Sequence, residues 1–223
     1  MCIENKTFKQ LYRMIFIVLC TTGITLQYAI VSKIGKAEVL TCYYTILSNF
    51  LCLFYFAYLI VKQPEKESAL IKGAVTIAIT ITGLVYHFML NGAMEAGVGA
   101  VAKVTFMEVL ANTLVHYVVP IMTVVDYFLF AKKGNFKWLY AFSWLLIPFA
   151  YVVFIMIRAE VSQTLFAGFS GMSRYPYPFV DVDLYGFPKV ALMVSVILLA
   201  VLVLGFILYG IDFLLGKYKK KST

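Results

Sequence analysis

Long apolar runs, broken at intervals by short clusters of Lys, Glu, Pro and Gly, set the pattern of this chain. The runs fall at roughly 11–32, 40–61, 70–90, 109–131, 137–157 and 189–215. Each reaches or exceeds the ~20 residues that a helix needs to cross ~30 Å of hydrocarbon. In lipid only helices and closed barrels satisfy the backbone, and these runs do not alternate as barrel strands do. The pattern predicts an all-α bundle of six transmembrane helices in a single transmembrane domain spanning 1–223.

Composition agrees with the pattern. The 223 residues are 62% hydrophobic and 13% charged, with mean hydropathy +0.89. That is too little charge to cover a soluble domain of this length. The net charge of +8 raises the question of a nucleic-acid partner. The basic residues punctuate the apolar runs instead of clustering on one soluble face, so no nucleic acid is expected. They read as topology signals and contacts with anionic headgroups, which makes membrane lipids the expected partners.

Counting charge by loop gives an orientation. Lys6, Lys9, Arg13, Lys62, Lys66, Lys72, Lys132, Lys133, Lys137, Lys217, Lys219, Lys220 and Lys221 fall on one side, thirteen in all. Lys33, Lys36, Lys103, Arg158, Arg174 and Lys189 fall on the other, six in all. The positive-inside rule then places both termini in the cytoplasm and the loops 91–108 and 158–188 outside. Trp138, Tyr140 and Trp144 stand where an interfacial aromatic belt is expected. The first run lacks a small-residue cleavage motif and reads as an uncleaved span. Cys2, Cys20, Cys42 and Cys52 form no CxxC pair, so they read as packing residues, with no metal site and no disulfide framework.

Polar residues inside the runs carry the candidate chemistry. Thr41, Thr45, Ser48, Cys52 and Tyr55 follow helical spacing in the second run, with Asn49 at the stripe's edge. In the fourth run Asn112, His116, Thr123 and Asp126 share one face. Intramembrane ionisable groups are costly and face a bundle interior or a cavity. Thr45 lies about five residues into its helix, ~7 Å deep, and His116 about seven residues in, ~10 Å. If the two helices are neighbours, the hydroxyl and the imidazole meet. Asp126 lies ~15 Å deeper by the helical rise and is expected to pair with Lys132, Lys133 or another helix. Pro120 has no N–H, so the carbonyl of His116 loses its helical partner and a kink is expected there.

Other polar groups read more plainly. His87 is expected at an interface, in contact with solvent. Two histidines on different helices also admit a haem reading through His87 and His116, although no cofactor is required by the spacing. In the segment "SRYPYPFVDVDLYGFP", 173–188, prolines stiffen a loop and Tyr175, Tyr177 and Phe179 supply ring surface. It is expected to fold over the outer mouth of the bundle, with Asp181 and Asp183 as solvated carboxylates.

The motifs "YYTILSN", "ANTLVHYVVP" and "YPYPF" resemble the bacterial branch of the androgen-induced membrane protein family. Its eukaryotic members are multi-spanning threonine hydrolases that cleave fatty acid esters of hydroxy fatty acids. The resemblance implies Thr45 as nucleophile, with Thr41 the lesser alternative, and His116 as base. Asn112 matches an Asn of the family pattern. Ser48 stands where the animal enzymes carry an Asp, and the proline after the histidine stands one residue closer. The resemblance also implies a bacterial plasma membrane and a lipid-like substrate.

Such chemistry is physically reasonable. A threonine hydroxyl becomes a nucleophile when a base takes its proton. A histidine with a reference pKa near ~6.5 serves as that base when neutral and then protonates the leaving alcohol. Ser48, Asn49 and Asn112 are the candidate oxyanion donors or substrate-binding residues. The competing expectation is a non-enzymatic bundle that binds or transports a small molecule or lipid, with Thr123 and Asp126 extending a polar path. Oligomeric state is not set by the sequence.

Overall fold

The computed structural model describes residues 3, 5–32, 37–90, 105–168 and 171–221, with backbone only at 167–168, 171 and 219–221. Cys2, Lys33, Lys36, Lys103 and the Gly-rich stretch 91–104 lie outside the described residues. Among the described residues, six helices are long and apolar enough to cross a membrane, as the pattern predicted: α1 Lys6–Ser32, α2 Tyr44–Lys62, α3 Ala69–Leu90, α4 Phe106–Phe130, α5 Tyr140–Val161 and α6 Phe187–Lys221. The protein is a multi-pass membrane-helix bundle. Helix α3 is its centre: 56% of its apolar window is buried, against 17% in α6, whose flanks face outward.

Local chemistry marks the helix ends. Gln63 closes α2 in the left-handed region at φ 40°, and Pro64 follows. Ser68 caps α3 by accepting from the Ile71 N–H at 3.4 Å. A capping box starts α4: Thr105 Oγ1 accepts from the Glu108 N–H, and the Glu108 carboxylate accepts from the Thr105 N–H at 2.7 Å.

At one end of the bundle, ionised groups are packed between helices. Arg13 of α1 donates to Asp126 Oδ1 of α4 at 2.9 Å and to Glu67 Oε1 at 2.8 Å. Lys72 of α3 pairs with the other oxygen of Asp126, and Lys9 reaches Glu67 at 2.5 Å. Arg13, Lys72 and Asp126 are buried. Two of the cations read as headgroup contacts are therefore internal counterions, because a buried carboxylate needs them. Asp126 does find another helix, as expected, but its partners are Arg13 and Lys72.

Beside this cluster, Asp212 of α6 accepts from the Tyr127 hydroxyl at 2.9 Å and the Phe136 N–H at 2.8 Å, which ties the α4–α5 connection to α6. Trp144 is a correction to the expected aromatic belt. It is buried, and its indole N–H donates to the Leu70 carbonyl at 2.9 Å. Its ring lies against Gly73, where a methyl group would overlap the indole. Gly73→Ala is expected to destabilise the bundle by about 1–3 kcal/mol, as overpacking does. Thermal unfolding followed by tryptophan fluorescence in detergent reads this; an unchanged midpoint contradicts it.

Candidate functional site

The other end of the bundle holds the polar residues singled out from the sequence. A one-turn helix, Ala37–Leu40, leads through a turn into α2, with Tyr43 extended at its N-cap (φ −77°, ψ 134°). Thr45 is thus the second residue of α2. Thr41 falls in the preceding turn, exposed, and donates to the Glu38 carbonyl at 3.2 Å. The expected stripe of hydroxyls starts at Thr45, because the helix starts three residues after Thr41.

His116 sits in a π-helical turn, Leu114–Val118, inside α4. Pro120 accounts for the irregularity, since it offers no N–H to the His116 carbonyl. The Val119 N–H reaches back to the Leu114 carbonyl instead, five residues earlier. Gly83 of α3 makes room for this widened turn; a methyl group there would lie 3.0 Å from the His116 carbonyl oxygen and 3.3 Å from Pro120 Cβ. A second π turn, Tyr86–Leu90, ends α3. From it the Tyr86 ring stacks on the His116 imidazole, centroids 3.8 Å apart and planes 15° apart.

Thr45 Oγ1 lies 3.3 Å from His116 Nε2, and His116 Nδ1 lies 3.0 Å from the Asn112 carbonyl oxygen. A carbonyl only accepts, so Nδ1 carries the proton and donates to it. In the neutral ring Nε2 is then the acceptor, and the Thr45 hydroxyl donates to it. The imidazole is fixed on three sides: by Thr45, by the Asn112 backbone and by the Tyr86 ring.

Two of the three expected oxyanion groups, Ser48 and Asn49, have their hydrogens committed elsewhere. The Ser48 hydroxyl lies 3.0 Å from the Thr45 carbonyl, to which it donates, and 2.6 Å from Thr82 Oγ1. Both N–H bonds of the Asn49 amide are used, toward the Thr45 carbonyl at 2.7 Å and the Val115 carbonyl at 3.1 Å. Asn49 therefore bridges the backbones that carry Thr45 and His116, and sets their spacing. Asn112 holds His116 through its backbone; its side-chain oxygen accepts from the Gln27 amide at 2.9 Å.

Over this end folds the segment between α5 and α6. It comprises an antiparallel pair, β1 Phe166–Gly168 with β2 Gly171–Ser173, then a 3-10 turn Pro178–Val180 and a short helix Val182–Tyr185. Arg158 of α5 anchors it by donating to the Arg174 carbonyl at 3.0 Å and the Thr164 carbonyl at 2.6 Å. Asp181 is buried, contrary to expectation. It accepts from the Ser173 hydroxyl at 2.6 Å and caps Val182–Tyr185 through the Leu184 N–H at 3.0 Å. Asp183 pairs with Arg174 at 2.6 Å, and that hydrogen bonding holds its carboxyl below the usual range.

The anchored segment buries Tyr175, Tyr177 and Val180. Tyr177 packs edge-on against Tyr43, ring centroids 5.7 Å apart, and sits beside Tyr151 of α5. Its hydroxyl faces the side chains of Thr45 and Tyr151 and the backbone of Tyr44 and Thr45. Burial pushes this phenol up from its ordinary value, with those polar neighbours opposing, so it stays protonated near neutral pH. Sequence reasoning saw ring surface here and missed the hydroxyl, because nothing local says that residue 177 reaches residue 45.

Thr45 and Tyr177 line one pocket with Pro148 and Val152 of α5 and Ile197 and Leu198 of α6. Its walls are apolar apart from a few hydroxyls. Apolar walls with a few placed polar groups are the usual lining of small-ligand sites.

The remaining polar groups do not join it. Thr123 donates to the Val119 carbonyl at 2.9 Å, and Asp126 is neutralised by Arg13 and Lys72, so these two residues extend no open polar path. His87 is exposed and lies 3.2 Å from the Tyr117 hydroxyl through Nδ1. Both ring nitrogens of His116 are engaged, so the haem pairing finds no free donor on that ring. Among the described residues, no cluster of three or more His, Cys, Asp or Glu has the arrangement of a metal site. Comparison with family models, curated proteins and solved structures returned no match.

Proposed function

We propose that this protein is an integral-membrane hydrolase of lipid esters, with Thr45 as nucleophile and His116 as general base, in keeping with the threonine hydrolases its motifs resemble. One observation carries the reading: a hydroxyl hydrogen-bonded to a histidine whose other nitrogen is held by a carbonyl, at the edge of an apolar pocket. That is the geometric signature of an activated nucleophile with an oriented base. By contrast, among the described residues the hydroxyls of Thr76 and Thr80 donate to carbonyls of their own helix.

The chemistry then runs in two balanced halves. His116 Nε2 takes the Thr45 proton as Oγ1 bonds to the ester carbonyl carbon, and the carbonyl π pair moves to oxygen. Collapse breaks the ester C–O bond, and the leaving alcohol takes the proton from Nε2. Water then adds to the acyl-threonine with His116 again as base, releasing the carboxylic acid and restoring Thr45. No cofactor enters either half. With both termini cytoplasmic, as the basic residues imply, the site lies in the outer half of the membrane, where a lipid ester has access from the outer leaflet.

A fluorophosphonate probe tests the assignment on the purified full chain in detergent. Labelling is expected at the Thr45 peptide, identified by mass spectrometry, and is expected to vanish in Thr45→Ala. Labelling that persists in Thr45→Ala, or lands on another residue, removes Thr45 as the nucleophile.

A further inference from the structure

We infer that Tyr177 is a catalytic residue of this site: its hydroxyl is the hydrogen-bond donor that meets the developing oxyanion on the substrate carbonyl. The inference rests on the hydrolase reading above and adds the one component which that reading lacks. Acyl transfer needs a donor close to the position where negative charge appears, and such a donor accounts for much of the rate. The groups chosen from the sequence do not supply it. Ser48 is committed to a backbone carbonyl and Thr82, Asn49 has both amide hydrogens on carbonyls, and Asn112, whose side-chain oxygen accepts from Gln27, does not line the pocket.

Tyr177 has the required placement. It lines the pocket with Thr45, and its hydroxyl is within hydrogen-bonding reach of the Thr45 side chain. The single Thr45 hydroxyl hydrogen goes to His116 Nε2, so toward the Tyr177 hydroxyl Thr45 Oγ1 has only acceptor capacity. The Tyr151 hydroxyl, whose own hydrogen goes to the Cys42 carbonyl, is a second acceptor facing the phenol. An atom bonded to Oγ1 brings its own carbonyl oxygen into the neighbourhood of the phenol O–H. As Oγ1 forms its bond to carbon, the Tyr177 O–H turns to the oxyanion without giving up its proton. The backbone of Tyr44 and Thr45, at the start of α2, also faces the phenol oxygen.

The surroundings hold the phenol still. Its ring stacks on Phe179 with centroids 5.2 Å apart and meets Tyr43 edge-on. The strap that carries it is fastened by Arg158 to α5 and by the Ser173–Asp181 hydrogen bond within itself. A donor fixed before reaction needs no reorganisation when the charge develops.

The test compares Tyr177→Phe with the wild-type chain, using hydrolysis of a p-nitrophenyl acyl ester and the rate of fluorophosphonate labelling at Thr45. Phe keeps the ring packing and removes only the hydroxyl. Tyr177→Phe is expected to lower kcat about 10²–10³-fold, the range for loss of one oxyanion donor, with KM and the thermal midpoint little changed. Tyr175 supplies the comparison, since it is buried on the same strap and does not line the pocket. An equal loss in Tyr175→Phe overturns the assignment, because removal of any strap phenol would then suffice. Wild-type rates in Tyr177→Phe, in a chain whose Thr45 is labelled, overturn Tyr177 alone. Absence of Thr45 labelling in the wild-type chain overturns the hydrolase reading and this inference together.

Discussion

Asp126→Ala is expected to destabilise the bundle by about 3–5 kcal/mol, the cost of removing one partner from a buried ion pair. The substitution leaves Arg13 and Lys72 inside the bundle with Glu67 as the remaining acidic neighbour. Arg13 is 1% exposed and Lys72 2%, so water does not replace the lost carboxylate. Three spans meet at Asp126, so the damage extends beyond one helix: α1 loses its tie to α4 through Arg13, and α3 loses its tie through Lys72. Thermal unfolding in a mild detergent, read with size-exclusion behaviour, measures the loss. A variant as stable as the wild type would mean that the three charged groups do not meet as described.

The same cluster gives the protein an acid limit. Burial works against the charge on Glu67, and Lys72, Arg13 and Lys9 overcome it, holding its carboxyl down at about 2. A carboxyl depressed on folding stabilises the folded state above its ordinary value, 4.5, and loses that contribution as pH falls from there to about 2. The thermal midpoint is therefore expected to fall in this acidic window, and Glu67→Gln is expected to flatten the fall. A midpoint independent of pH across the window contradicts the pairing.

His116→Ala is expected to lower kcat for ester hydrolysis about 10²–10⁴-fold, the usual contribution of a positioned general base. Thr45→Ser keeps a hydroxyl in the same place and is expected to retain probe labelling, whereas Thr45→Ala loses it. Both residues lie at the Thr45 end of the bundle, away from the ionic cluster, so neither substitution is expected to unfold the chain. Circular dichroism and thermal unfolding separate lost chemistry from lost fold. Hydrolysis at wild-type rate in His116→Ala removes the histidine from the mechanism.

The parts of this protein that were legible in its sequence are those governed by local composition. Apolar runs of bilayer length located six helices, since lipid leaves the backbone few other conformations. Helical spacing put Thr45 and His116 at similar depth on separate spans, and their side chains meet at 3.3 Å. Pro120 marked a break at His116, though its form, a π turn seated against Gly83, depends on a neighbouring helix.

What the sequence concealed were long-range pairings. Trp144, Arg13 and Lys72 read as interfacial because their types usually are, yet all three are buried against neighbouring helices. Ser48 and Asn49 read as free donors because only a fold reveals which carbonyls take their hydrogens. Tyr177 signalled only ring surface over the mouth of the bundle, and Tyr86 gave no sign of its stacking on His116, both being aromatic residues in a chain rich in them.

By itself, then, the sequence determined the number of membrane helices, their approximate limits and the two side chains worth testing, because hydrophobic length and helical period are properties of short stretches. The tertiary structure alone decided which polar groups are used up and which face the pocket. A hydrogen bond is a relation between two places in the chain, and residue 177 acquires its meaning only when the strap lays it against residue 45.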